Sequence, residues 1–571
     1  MAGGLQERAH ALLLAAAAGD ALGWPQEDRG GLVGGKRARL ARRPDPEFSS
    51  WQRNSGSRYA RYQETVEAGA YSDDTQLMFA VARSCLVSDD WERYFTSVEL
   101  PAWPTYQRGG GRAVLSAANS WGGKVAPWHG SRSGDTQSYF EAGANGVAMR
   151  IGPHVIWAAA RGLSLEQLLE RIVRDGITTH GHPRALIGAM CFGTALAFAL
   201  KTESVVEPES FLHAAEAGLI DGRAILSFVP QEWVRPDNRA SYVEKWNRVN
   251  AEMYALLATA RRSLRQGSMS NVTATLSDLG AIGKYSGSGT ASAAAAIYLA
   301  SRAGTRPISG LLQAAFEHGA DTDTLASMTG ALLGAVHGAH WLGRLRDVQD
   351  APYIARVASA LVEGVPMLPP VGRISSTSLY RELDQGTDAG IFVDGRAYLV
   401  LGASAISESP DVTRFRLGLE DGQSVIVDRL RRNSRLKEHS APQSAGSPVS
   451  KLNAAERKSA IRSDASSGGL NVFISLTVGD LQITSAFYED ILGVTLERDG
   501  RSAWLTDEVR FEAGQDSDTL SLPDARITLS VDDLGACAKR IGQNTRETKE
   551  RGMHIQLIDP DGRAVTIIQS R

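Results

Sequence analysis

Ser72-Asp73-Asp74-Thr75 sets two adjacent carboxylates between two hydroxyls, directly before an apolar run. Asp321-Thr322-Asp323-Thr324 repeats the pattern before an Ala- and Gly-rich stretch. Part of this is ordinary helix chemistry: Ser72 is a good N-cap, and acids in a first turn favour the helix dipole. A cap uses a single side-chain oxygen, whereas these two stretches offer several carboxylates and hydroxyls. If the two helix starts meet in space, the like charges raise one another's proton affinity or require a cation. The donors are all oxygens, which suits Mg2+, Mn2+ or Ca2+ rather than zinc. No HExxH pair competes for that role.

The elements that must position these acids read as helices. From residue 1 to about 370, apolar residues recur at three- and four-residue spacing, as in "HPRALIGAMCFGTALAFAL" and "TASAAAAIYLASRAG". The texture then changes. "IFVDGRAYLVLG" and "FRLGLEDGQSVIVDRL" alternate, and Asp394-Gly395 and Asp421-Gly422 are hairpin signals, so residues 371–435 read as a small β module. Residues 436–469 are rich in Ser, Ala and charge, and read as a flexible linker. Strand and helix signals return over 470–571, and no short-period repeat is evident. The expected fold is therefore multidomain: an all-α bundle, a small β module, then an α+β domain.

The chain has 571 residues, 43% apolar and 22% charged, with net charge −3, which fits a globular protein and gives no general pull toward nucleic acid or an anionic membrane. Cys85, Cys191 and Cys537 lie far apart without CxxC spacing, against both a disulfide framework and a thiolate zinc site. The apolar run Leu12 to Ala18 is short and ends at Gly19-Asp20, unlike a secretory signal. No apolar stretch of about 18 residues suggests a membrane span. A cytoplasmic location is expected.

Five ordered motifs carry a resemblance. "GDALGWPQE" (Gly19 to Glu27), "YSDDTQ", "NGVAMRIGP" (Asn145 to Pro153), "THGHPRALIGA" (Thr179 to Ala189) and "GADTDTLASMTGALLGA" together resemble the ADP-ribosylglycohydrolase family, including the dinitrogenase reductase-activating glycohydrolases. The resemblance implies an all-α bundle with a cleft holding two Mg2+ ions, with Mn2+ as a substitute. By match, Ser72, Asp73, Asp74, Asp321, Asp323 and Thr324 are the expected metal ligands. Glu27 and Asp74 are the expected catalytic carboxylates. Asn145, Gly146 and His180 match substrate-binding positions, and Gly109 of the Gly109-Gly110-Gly111 run is a further candidate there. The implied reaction is hydrolysis of a glycosidic bond at the anomeric carbon of the distal ribose. Its substrate would be an ADP-ribosylated protein, nucleic acid or small molecule. A rival reading is a non-catalytic ADP-ribose binder or immunity-type protein of the same fold.

"ISLTVGDLQITSAFYEDILGVTLE" and "MHIQLIDPDGRAVTIIQ" resemble the glyoxalase/bleomycin-resistance (vicinal oxygen chelate) family over about 470–571. Metalloenzymes of that family carry His and Glu ligands where this chain has Phe473 and Thr566, and Arg526 stands where another His often lies. Phe and Arg cannot hold a metal. The resemblance therefore implies a binding or scaffolding module for a small molecule or a second chain, with His554 a remote candidate ligand.

Overall fold

The computed structural model describes residues 2–27 and 44–430, apart from the short gaps 58–59, 88–89, 131–132, 203–205, 368–371 and 407–408. Beyond residue 430 it describes the strands alone. The expected linker, Phe473, and the side chains of Arg526, His554 and Thr566 lie outside the described residues.

The N-terminal body is helical. Its central helix, α1 (Ala2–Gly23), buries Leu12, Leu13, Ala15 and Ala17 completely. A helix apolar on all sides is a core helix. It packs against α5 (Thr322–His337), and glycines set the distance. A Cβ on Gly19 or Gly23 would collide with the carbonyls of Ala326 or Thr322, and one on Gly330 or Gly334 with those of Ala15 or Ala11. The two backbones therefore touch, which only glycine permits. That contact brings Glu27 beside Asp321 and Asp323. Around this pair lie α2 (Asp73–Val87), α3 (Pro183–Lys201), α4 (Gly289–Arg302) and α6 (Ala351–Glu363). By length and composition α3 could cross a membrane, but 83% of its apolar window is buried within the protein. It is a core helix.

Among the described residues, one strand pair interrupts the helices. β1 (Trp51–Ser57) and β2 (Ala60–Val66) form an antiparallel hairpin that the helical periodicity does not announce. After α7 (Ser376–Asp384) comes an antiparallel sheet of β3 (Ala389–Ile391), β4 (Ala397–Ile406), β5 (Ser409–Leu419) and β6 (Ser424–Leu430), in sequential order. Gly395 and Gly422 take φ of 91° and 89° at its turns, the conformation the two Asp-Gly pairs announced. Phe392, Tyr398, Leu417, Val425 and Val427 of this module join the same apolar core as the helices.

The C-terminal strands form two sheets of identical plan. β7 (Ile474–Val478), β8 (Glu497–Asp499), β9 (Ser502–Thr506) and β10 (Val509–Ala513) order as β7-β10-β9-β8. β11 (Arg526–Val531), β12 (Arg546–Thr548), β13 (Gly552–Ile558) and β14 (Ala564–Gln569) order as β11-β14-β13-β12. In each, the first strand runs parallel to the last and the other pairs are antiparallel. This duplication is a repeat of topology that short-period sequence comparison does not reveal.

Candidate metal centre

The acid-rich helix starts do meet. Asp73, Asp74 and Asp323 each offer a carboxylate oxygen, and these lie within 4.8 Å of one another. Glu27, Asp321 and Asp323 form a second such triad, so Asp323 belongs to both. Oxygens on opposite sides of one Mg2+ lie about 4 Å apart, so each triad has the scale of one ion. Asp73, Asp74 and Asp323 are buried, while Glu27 and Asp321 are half-buried.

Capping does not account for these acids. Where this protein caps a helix in the usual way, at Ser164, the hydroxyl accepts from Gln167 N and the Gln167 side chain returns the bond. Asp321 stands at the N-cap of α5 but makes no cap bond. One of its oxygens instead accepts from Asn145 Nδ2 at 3.0 Å. Its Oδ1 and Asp74 Oδ2 are buried with no hydrogen-bond partner, an arrangement native proteins seldom leave uncompensated. Burial first, then the charges of Asp20, Asp73 and Asp321, push the Asp74 carboxyl well above its ordinary range. Such a carboxylate ionises readily only with a cation beside it. The residues present therefore fit a pair of hard divalent cations.

The hydroxyls belong to the same cluster. Thr324 Oγ1 donates to Asp74 Oδ1 at 3.2 Å, linking α5 to α2 across the site. Ser72 Oγ accepts from Asp74 N at 3.4 Å. Asp20, not singled out from the sequence, organises the α2 start. Its fully buried carboxylate accepts from Ser72 N at 3.0 and 3.1 Å, from Thr75 N at 3.0 Å and from Thr75 Oγ1 at 2.6 Å. The signal for it was an ionisable residue on an otherwise apolar helix, which must find partners.

Glu27 follows the short helix Trp24–Gln26 and closes it, its N–H donating to Trp24 O at 3.2 Å. Trp24 is wedged edge-on against Trp51 at 5.3 Å, with the Arg53 and Arg108 guanidiniums over its ring at 5.1 and 5.4 Å. Thr322 Oγ1 donates to Gly23 O at 2.9 Å, tying that segment to the α5 start.

The expected substrate-side residues are placed in three ways. Asn145 lies against the acids, its amide donating to Asp321 and, at 3.0 Å, to Ser292 Oγ, and its backbone N–H to Gly287 O at 2.9 Å. Gly146 and His180 are neighbours: a Cβ on Gly146 would sit 3.1 Å from His180 Cε1. Burial first, then the nearby Arg150 charge, push His180 down to about 3, so the imidazole is neutral. Thr179 Oγ1 lies 2.7 Å from His180 Nδ1. Gly109 sits on another loop, in the left-handed region at φ 98°. That loop is pinned to α2 by Gln76, whose side chain accepts from Arg108 N at 3.1 Å and donates to Tyr106 O at 3.0 Å.

The ADP-ribosylglycohydrolase family model matches residues 1–368. Comparison with curated proteins returns no match. Among solved structures, an ADP-ribosylglycohydrolase-related protein complex is 20% identical and covers 63% of this chain and 98% of its own, with a TM-score of 0.39. A glyoxalase/bleomycin resistance protein from Catenulispora acidiphila DSM 44928 is 21% identical and covers 18% of this chain and 100% of its own, with a TM-score of 0.16. A structure from the mobile metagenome of V. pseudocholerae is 17% identical and covers 19% and 99%, with a TM-score of 0.15.

Proposed function

The chain belongs to the ADP-ribosylglycohydrolase family, and from that premise we propose that it removes ADP-ribose from a modified acceptor in a divalent-cation-dependent hydrolysis. Family membership supports a glycohydrolase activity in general. The finer reading is carried by one observation: two carboxylate triads share Asp323 at the meeting of two helix starts.

In this reading Ser72, Asp73, Asp74, Asp321, Asp323 and Thr324 hold two Mg2+ ions, with Mn2+ able to replace them. When bound, the cations would fix ribose hydroxyls and make a bound water more acidic. The chain's own residues do the rest. Asn145 holds Asp321 in place through its amide. Neutral His180, with Gly146 packed against its ring, would exchange a hydrogen bond with the distal ribose. Glu27, half-buried, takes a proton from the attacking water and returns one to the leaving acceptor. The bond from the anomeric carbon to the acceptor breaks and a bond to the water oxygen forms, giving free ADP-ribose and the released acceptor.

The test is incubation of the full chain with a panel of ADP-ribosylated proteins, nucleic acids and small molecules, with Mg2+ or with EDTA, measuring free ADP-ribose. Release that requires Mg2+ is expected for at least one substrate. Glu27→Gln should still bind ADP-ribose while turning over about 10² to 10⁴ times more slowly. ADP-ribose binding without release from any substrate would instead make the protein a binder.

A further inference from the structure

The helix that supplies Asp73 and Asp74 is gripped by the β3–β6 sheet, which lies beyond the matched family region. Two contacts make the grip, and both come from the turn that enters β6. At the first, Tyr71, immediately before the ligand-bearing segment, donates its hydroxyl to Asp350 Oδ2 at 2.6 Å. Ser424 donates to the same carboxylate twice, from its N–H at 3.0 Å and its hydroxyl at 2.7 Å. Asp350 stands at the N-cap of α6 yet makes no cap bond there. It holds φ 59°, in the left-handed region that aspartate enters more readily than most non-glycine residues. Its carboxylate is thus committed to Tyr71 and Ser424 instead of its own helix. Gln349 reinforces the joint, donating from its backbone to Gly69 O at 3.0 Å and from its side chain to Ser424 Oγ at 3.1 Å.

At the second contact, Arg83 within α2 donates to Gln423 Oε1 at 2.9 Å and to Tyr353 Oη at 3.0 Å, and forks onto Glu99 at 2.8 and 2.7 Å. Gln423 also accepts from Arg396 of the sheet at 2.9 Å. Adjacent residues of one turn, Gln423 and Ser424, therefore fix the body of α2 and the approach to its N-terminus. Helix rotation or sliding, the motions that would part Asp73 and Asp74 from Asp323, are opposed at both points.

We propose that the Asp421–Ser424 turn of the β module is a positioning element of the metal centre, acting through Asp350 on Tyr71 and through Arg83 on α2. This rests on the reading of the acid cluster as a divalent-cation site. Partners one step removed from metal ligands typically tune affinity or activity 10- to 100-fold. The test is Mn2+ titration calorimetry on the full-length wild type, Tyr71→Phe and Ser424→Ala, with ADP-ribose release measured across Mg2+ concentrations. Tyr71→Phe removes a single oxygen and keeps the packed ring, so it preserves the fold. Both variants are expected to bind Mn2+ about tenfold more weakly. Their turnover should recover when Mg2+ is raised about tenfold, whereas damage to substrate binding or to the chemical step would not be rescued by more cation. Because both act through Asp350, the double variant should be no weaker than the worse single one. Wild-type Mn2+ affinity in both variants, or a loss that Mg2+ does not rescue, overturns the proposal. A wild-type chain that binds no Mn2+ overturns the cation site itself, and the wild-type titration separates that result from the others.

Discussion

Two acid-rich clusters are buried along α2, and they solve the same electrostatic problem in opposite ways. In the interface with the β module, Arg396 pairs with Asp394 and Asp421 at 2.6 and 2.7 Å, and Arg83 pairs with Glu99. Burial pushes Asp421 up, but the Arg396 and Arg83 guanidiniums outweigh it and hold the carboxyl below its ordinary range. At the helix starts, Asp74 is equally buried, yet every charge acting strongly on it is another carboxylate. The first cluster carries its own guanidinium partners and is structure. The second, in the proposed reading, takes its counter-charge from outside as a site. The difference lies in the partners; burial and acid content do not distinguish the two.

Isosteric removal of one carboxylate from each cluster should break the symmetry of this comparison. Asp74→Asn is expected to lower Mg2+-dependent turnover at least about a hundredfold, since it acts on a ligand rather than on a ligand's partner. In EDTA it should melt at or above the wild-type temperature, because a mutual repulsion is gone. Asp421→Asn should do the reverse: unfolding in urea becomes easier by about 3 kcal/mol as a buried guanidinium loses a counter-charge. A strongly destabilised Asp74→Asn in EDTA would mean that the acid cluster is structural after all.

His180 sharpens the contrast with a third solution, which is to bury a titratable group without charge. Its value falls from 6.5 to about 3, so the unfolded chain takes up a proton first as the pH drops. Stability is therefore lost from pH 6.5 downward. Between pH 6.5 and 4.5 the wild type should lose about 2 to 3 kcal/mol more than His180→Gln, read by urea unfolding at both pH values. Parallel losses in the two proteins would show that His180 is free to ionise in the fold.

The legible part of the site was the part whose donors are neighbours in the chain. Ser72-Asp73-Asp74 and Asp321-Thr322-Asp323-Thr324 announce themselves by repetition, and the Ala/Gly texture announces helices close enough to bring them together. Asp20 was harder: a lone acid within an apolar helix whose work is defined by Ser72 and Thr75 on another element. Asn145 was read as a substrate-binding position, but its amide is directed at Asp321, a relation invisible before folding. The two Asp-Gly pairs correctly marked backbone turns. Nothing in a turn signal told that Asp394 and Asp421 would be buried against Arg396. Charged residues in an alternating strand look like a solvated face until the opposing surface is known. The β1–β2 hairpin, polar and short, gave no period strong enough to stand out from the helical body.

The central claim is that two helix starts share cations through Asp323, and stoichiometry tests it most directly. Mn2+ should bind the metal-stripped full chain at two equivalents, in line with the two triads. Asp323→Ala, common to both, should abolish both, whereas Glu27→Gln, a proton-transfer variant, should keep both the ion held by Asp73, Asp74 and Asp323 and the one at Asp321 and Asp323. A wild type that takes up no Mn2+, or an Asp323→Ala variant that still binds two ions, would contradict the account.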